Sequence, residues 1–349
     1  MKKSLIALAV LAASGAAMAQ SSVTLFGIVD ATYAYGSGSV ANRSQLTNSG
    51  LASSRLGFRG VEDLGGGMSA SFHLEAAVNN DDGTGGSTIT NNQAATSSGG
   101  GLVFNRRSTV SLIGGFGEVR LGRDLTSQFL NLSNFDPFGT NGVGTTQTLN
   151  SSIGGPVRVR ASNSIGYFLP GKLGGFYGQA QYYMGENLSN VANKKDGNGM
   201  GLRVGYANGP IDAALALSET KYLTGNIKAM NFGGAYDLGV AKLMAHYNQD
   251  KISNGAKGTG YLLGATVPMG AGLIRAAYST YKIDNVTGND PRSTKLALGY
   301  VHNLSKRTAL YATYARVSNK GGATQALNGA STAANNSSNG YDFGVRHSF

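Results

Sequence analysis

No cysteine occurs among the 349 residues, which excludes disulfides, thiolate metal sites and cysteine nucleophiles together. An exported domain of this size can build a sufficient core without such staples. Proline is scarce, at 6 residues, and charged residues make up only 13%. Past the first twenty residues no apolar run approaches the ~20 residues that a membrane helix requires, so any membrane role falls to strands. The four histidines, His73, His246, His302 and His347, are far apart in the chain and form no metal-spaced pair. Neither a G-x-S-x-G elbow nor a phosphate-binding G-x-x-x-x-G-K-[ST] stands out. Membrane barrels that are hydrolases can carry serine and histidine on the outer wall without a linear motif, but nothing here favours that reading. No cofactor is expected.

Glycine is abundant, at 53 residues, alongside 17 tyrosines and 13 phenylalanines. A disordered Gly/Ser chain would lack those aromatics; many strands joined by many tight turns would not. The first segment has Lys2 and Lys3, an apolar run over residues 5–13, and Ala17-Met18-Ala19, the form of a signal peptide over residues 1–19. Its removal leaves a chain starting near Gln20 and takes the formal charge from +11 to +9. A basic balance alone would equally suit a nucleic-acid binder. Export argues against nucleic acid as a partner.

Strand alternation is the main signal. Over residues 69–78, Ala70, Phe72, Leu74, Ala76 and Val78 share one face, and Ser71, His73 and Glu75 the other. Leu202, Val204 and Tyr206 alternate with Arg203 and Gly205; Met230, Phe232, Tyr236 and Leu238 alternate with Asn231 and Asp237. Residues 23–35 have apolar side chains on both faces, and periodicity does not orient them. Short connections rich in Gly, Pro, Asn and Asp lie at 62–67, 114–117, 170–175, 207–210, 237–241, 268–272 and 303–307. Between them are longer polar stretches, at about 36–50, 79–104, 125–157, 186–198, 220–227, 250–259, 284–292 and 318–339. Seven short turns and eight long loops join sixteen strands, the asymmetry of a transmembrane barrel with short periplasmic turns. An open edge in hydrocarbon would leave amides unpaired, so first and last strands must pair. The last segment suits this: Tyr341, Phe343, Val345 and Phe349 fall on one face, Asp342, Gly344 and Arg346 on the other. The expected fold is an all-β, sixteen-stranded antiparallel transmembrane β-barrel over residues 20–349, with both termini periplasmic. A barrel of that size is too wide for side chains to fill and should enclose water.

The segments VTLFGIVDATY, SRLGFRGVEDLGGG (54–67), NRRSTVSLIGGFGEVRLGRD (105–124), RASNSIGY (160–167) and the terminal Phe349 resemble the trimeric general porins of Gram-negative bacteria, in the branch common among β-proteobacteria. The resemblance covers the whole chain after the leader. It implies an outer-membrane homotrimer surrounded by lipid and lipopolysaccharide, passing small hydrophilic solutes and ions. It also implies a terminal aromatic read by the barrel-assembly machinery, a second long loop that latches onto a neighbouring subunit, and a third that folds inward as a constriction. That third loop corresponds to about 125–157, where Asp136-Pro137-Phe138-Gly139 is similar to the family's loop-tip motif. Many members have a glutamate after the proline; here the acid precedes it.

The resemblance sets a basic wall cluster against acids on that loop. Arg55 matches the wall arginine, Arg59 shares its face, and Arg107 has the parity of Thr109 and Ser111. Arg158 and Arg160 alternate with Val159 and suit the wall beyond the loop. Arg106 falls on the lipid parity, and Arg123 is ambiguous where strand becomes loop. The alternative for each arginine is an ordinary solvated charge, and for Asp136 a structural cap inside the loop. Asn79-Asn80-Asp81-Asp82-Gly83 lacks the spacing and closing glutamate of an EF-hand and reads as a loop tip. The loop 125–157 has one acid and no base, so the cluster predicts weak anion selectivity. Two rival functions remain open: a surface adhesin, for which the loops are polar and low in aromatics, and a substrate-specific channel, for which Tyr177 and Tyr183 make no convincing lumen ladder.

Overall fold

The computed structural model describes residues 22–93, 96–97, 101–150, 153, 155–253 and 255–349; the expected leader, residues 1–19, lies outside them. Sixteen strands form the wall: β1 (Ser22–Ser37), β2 (Arg55–Gly65), β3 (Met68–Asn79), β4 (Arg107–Gly114), β5 (Gly117–Leu125), β6 (Arg160–Phe168), β7 (Phe176–Tyr183) and β8 (Gly199–Asn208). They continue as β9 (Ile211–Thr220), β10 (Ile227–Asp237), β11 (Lys242–Ile252), β12 (Lys257–Met269), β13 (Gly272–Asp284), β14 (Arg292–Asn303), β15 (Thr308–Lys320) and β16 (Ser338–Ser348). Each pairs antiparallel with the next, and β1 pairs with β16 from Ile28↔Ser348 to Ser37↔Asn339. The sheet is closed, as the unpaired-amide argument requires.

All seven short turns fall where the sequence puts them. Between β2 and β3 the chain reverses through Gly65, Gly66 and Gly67 at φ of 78°, 61° and 78°, a left-handed run that residues with a side chain rarely adopt. Several strands are longer than the ~9–11 residues needed to cross the bilayer, reaching 16 residues in β1 and 13 in β12, β13 and β15. The loop expected at 36–50 contains a further short strand, Arg43–Asn48, paired to the outer half of β1. Such hydrogen bonding leaves no trace in hydrophobic periodicity.

Leu202, Val204, Phe232 and Leu296 face outward and are exposed, whereas Arg203, Asn231 and Lys295 on the opposite parity are buried inside. The strand that periodicity left unoriented, β1, turns Val29 and Tyr33 outward and Asp30, Thr32 and Ala34 inward. Its inward phenylalanine, Phe26, is tolerated because the Arg59 guanidinium lies over the ring at 5.1 Å and His73 meets it edge-on at 5.3 Å.

The apolar core is not central; it lies between the wall and the segment joining β5 to β6, which turns into the barrel. That segment starts with helix α1 (Ser127–Asn134), capped by the Thr126 hydroxyl accepting from Phe129 N. Polar bonds hold the helix to the wall: Asn131 donates to Ala214 O at 3.0 Å and Asn231 Oδ1 at 2.8 Å, and Asn231 donates to Gln128 O at 2.9 Å. Arg203 donates to Asn131 Oδ1 at 3.1 Å. The helix escapes a strand-based reading because its contact face, Ser127, Gln128, Asn131 and Leu132, is mostly polar. Further along, Phe135 and Pro137 pack against two wall glycines, where a Cβ on Gly233 or Gly264 would come within 2.0 Å and 2.3 Å of their rings. Phe138 joins Val143, Leu262, Ala297, Val317 and Leu327 in the largest buried cluster.

Two outcomes follow from this packing. Phe349 closes the seam, its backbone N–H and C=O both bonded to Gly27 at 3.1 Å and its ring covering that glycine. Deleting Phe349 should lower the yield of heat-modifiable folded barrel several-fold on unboiled gels; an unchanged yield refutes this role. Gly233→Val puts a side chain where the Phe135 ring sits, an overpacking worth about 1–3 kcal/mol. The wall bonds remain, so the barrel should fold while planar-bilayer recordings show a larger, noisier conductance.

Candidate constriction site

The inward segment lies along the β7–β16 side, from Ser127 Oγ accepting from Gln179 of β7 to Val143 N donating to Asp342 of β16, which leaves the β2–β6 side facing the open lumen. On that side the strands carry arginines at inward register positions. Gly57, Arg59 and Arg55 oppose Glu75, His73 and Ala77 of β3, and Glu75 opposes Arg107 of β4. Glu75 is the hub. Its carboxylate accepts from Arg106 Nε at 2.5 Å, from Arg55 Nη1 at 3.4 Å and meets His73 Nε2 at 3.4 Å. His73 links onward through Nδ1 to Arg107 Nη1 at 3.5 Å. Asp124 then holds Arg107 at 3.4 Å and Arg120 at 2.5 Å, and Glu118 holds Arg120 Nε at 2.8 Å. Arg160 donates to Arg106 O at 2.9 Å, which places a further guanidinium beside Arg106 and Arg55.

The ladder therefore brings together four of the arginines singled out in the sequence, Arg55, Arg59, Arg107 and Arg160. Glu75 has the water-facing parity read from its strand; Glu118, Asp124 and two of the arginines, Arg106 and Arg120, escaped that reading. Arg106 was assigned to the lipid parity, but β4 starts at Arg107. Arg106 lies ahead of the regular alternation, and its side chain turns in to Glu75. Arg120, Glu118 and Asp124 share the parity of Gly122, and a register argument across β4 and β5 would have found them. The ambiguous Arg123 points to loop carbonyls and to β6, donating to Asn105 O at 2.6 Å, Ile89 O at 3.2 Å and Ser162 Oγ at 2.7 Å.

Arg158 departs from expectation. It precedes β6, bonds to Leu149 O within the inward segment, and interacts with Asp250 and Tyr281 instead of the Glu75 group. Asp136 takes the alternative given for it, a cap inside the loop: at 4% exposed it does not face the open lumen. Its carboxylate accepts from the backbone N–H of Phe138 at 3.0 Å, Thr146 at 3.1 Å and Thr140 at 3.2 Å. It lies toward two buried wall cations, Lys295 and Arg275, the latter with its guanidinium 4.6 Å from the Phe138 ring. Burial raises the Asp136 pKa, against the pull of those N–H groups and of Lys295. Placing the acid before the proline lets it cap the turn that follows. The lumen-facing part of the segment, including Asn134, Thr140 and Asn141, has no charge.

Tyr177 and Tyr183 are both engaged within the wall. Tyr177 donates to Asp212 at 2.6 Å beneath Arg203, and Tyr183 is buried with its hydroxyl 2.7 Å from Thr220 Oγ1. Neither forms a ladder along the lumen.

Known proteins share this fold. The family described as Gram-negative porin matches residues 5–322. Outer membrane porin protein 32 of Delftia acidovorans is 41% identical over 369 aligned residues, spanning 100% of both chains. The solved structure of an anion-selective porin from Comamonas acidovorans superposes with a TM-score of 0.83 at 37% identity, covering 95% of this chain and 100% of its own. OmpT of Vibrio cholerae, at 15% identity and a TM-score of 0.67 over 94% of this chain and 98% of its own, shares the fold. A closed barrel with an inward loop, matched over its whole length by such relatives, belongs to the Gram-negative porins, outer-membrane proteins that form passive channels.

Proposed function

We propose that the chain forms a weakly anion-preferring diffusion pore for small hydrophilic solutes, working as a homotrimer and catalysing no reaction. The observation that carries this reading is an imbalance of charge. Six arginines, Arg55, Arg59, Arg106, Arg107, Arg120 and Arg160, stand against three carboxylates, Glu75, Glu118 and Asp124, on the β2–β6 side. They face an inward segment whose single acid is buried. The similarity to the anion-selective porin of Comamonas acidovorans supports the same sign. At ~8 Å across water one unit charge contributes roughly 0.5 kcal/mol, so a surplus of three gives about 1.5 kcal/mol before screening. Salt near physiological strength reduces that. The result is a several-fold preference, not exclusion.

The assignment of residues 1–19 as a cleaved leader and of the segment 125–157 as the constriction belongs to this proposal. So do the subunit-latching second loop, lipopolysaccharide and the barrel-assembly machinery as partners, and the recognition of Phe349 by that machinery. Cross-linking in native membranes that stops at monomer would overturn the trimer.

Arg55→Glu combined with Arg107→Glu should move the zero-current potential in a potassium chloride gradient toward cations, with conductance of the same order. Clear cation preference in the unaltered channel would sink the proposal. Asp136→Asn offers one oxygen where two serve three backbone donors, and each buried N–H left unpaired costs about 1–3 kcal/mol. Bilayer recordings should show a noisier pore while ion preference changes little, because Asp136 does not face the solute.

A further inference from the structure

Four histidines occur in the chain, and the fold gives them different surroundings. His302 and His347 share the parity of the exposed apolar residues Leu298 and Val345, and stand on the outward face at the short-turn end. His246 is 4% exposed and in register with Gly233, the glycine under Phe135, so it lies beneath the inward segment. His73 differs from all three. It has the inward parity of Glu75 on β3, its side chain is 20% exposed, and it stands in the middle of the charged ladder.

Charged groups approach His73 from three neighbouring strands. On β2, Arg59 is in register with it, and Arg55 reaches Glu75 two residues along β3. Just ahead of β4, Arg106 also bonds Glu75, and on β4 Arg107 Nη1 lies 3.5 Å from His73 Nδ1. Beyond Arg107, β5 adds Asp124 at 3.4 Å, with Arg120 and Glu118 behind it. From β1 His73 meets only the uncharged Phe26 ring, edge-on at 5.3 Å. A neutral imidazole has one donor and one acceptor. Nε2 lies 3.4 Å from the Glu75 carboxylate, which accepts, and Nδ1 faces the Arg107 guanidinium, which donates. Neutral His73 with its proton on Nε2 therefore satisfies both neighbours. A second proton, on Nδ1, adds a unit of positive charge and turns the contact with Arg107 into a repulsion, while Arg107 keeps Asp124 as its partner. Arginine and carboxylate side chains ordinarily keep their charge between about pH 5 and 8, where histidine changes its own.

We propose that His73 is a specificity-determining residue of the pore, through which the ion preference follows the pH of the surroundings. This role rests on the anion-preferring pore proposed above and deepens it. The surplus of six arginines over three carboxylates becomes larger by one charge when His73 takes up a proton. One unit charge at ~8 Å across water changes the balance between anion and cation about two-fold. Protons add positive charge here, so the preference for anions rises as the pH falls.

The test is the zero-current potential of the full-length channel in a potassium chloride gradient, recorded at about pH 7.5 and about pH 5.5. Planar bilayers of phosphatidylcholine serve here, because that head group keeps its charge across the window. Lowering the pH should raise the anion-to-cation permeability ratio of the unaltered channel about two-fold. His73→Gln should give one ratio at both pH values. His73→Lys, which carries a fixed cation, should also give one ratio at both, lying nearer the parent's value in acid. Folded barrel on unboiled gels and steady conductance steps show that each variant is intact. Cation preference of the unaltered channel at both pH values overturns the pore reading and this role of His73 with it. An anion preference that does not move with pH, or that moves as much in His73→Gln as in the parent, overturns the role of His73 alone.

Discussion

Hydrocarbon offers a backbone amide no partner, and the architecture of this protein starts from that fact. A strand edge exposed to lipid would leave several kcal/mol unmet at each group, so β1 must find β16, and it does so over ten residue pairs. Closure at sixteen strands leaves a ring too wide for its own side chains to fill. The inner face must then be wet, the outer face apolar, and alternation along each strand follows. Closure also dictates that no central core exists. Apolar packing is displaced to where the inward segment lies on the wall, as with Phe138, Val143 and Leu262.

The inward segment has to be held without offering charge to the lumen. Small wall residues at Gly233 and Gly264 let Phe135 and Pro137 approach closely, and a ring of amides around Asn131 and Asn231 fixes the helix. Its one acid is turned toward the wall, where it serves three backbone donors and faces buried Lys295 and Arg275. Removing one member of such a buried charged group leaves the others uncompensated, which costs more than the group contributes intact. The same economy operates across the lumen in reverse. Glu75 and Asp124 are too few to neutralise the arginines around them, but they hold the guanidinium groups against the wall and keep the passage open.

Charge thus has two separate uses in one barrel wall. Beneath the inward segment it is paired and buried, and at the open lumen it is in surplus and hydrated. Only the tertiary neighbours distinguish Lys295 and Arg107.

Alternation, turn chemistry and loop lengths were enough to read sixteen strands, their order, the closing pair and the inward parity of Arg107, because a two-residue period and lipid on one side constrain each strand locally; Arg55, and Arg59 on its face, were placed by the motif resemblance. The short strand Arg43–Asn48 and helix α1 were not legible, since each is held by partners distant in the chain and neither has an apolar rhythm. Arg106 and Arg158 were misplaced for one reason: each precedes the strand that follows it, where parity does not apply. Asp136 stayed open between a lumen charge and a loop cap, because its motif specifies a turn and not the direction the carboxylate takes. The sequence by itself determined a closed, water-filled barrel with a basic inner wall. Tertiary structure alone decided which charges meet the solute, because that depends on what packs across the lumen, and no local period records contacts between residues a hundred positions apart.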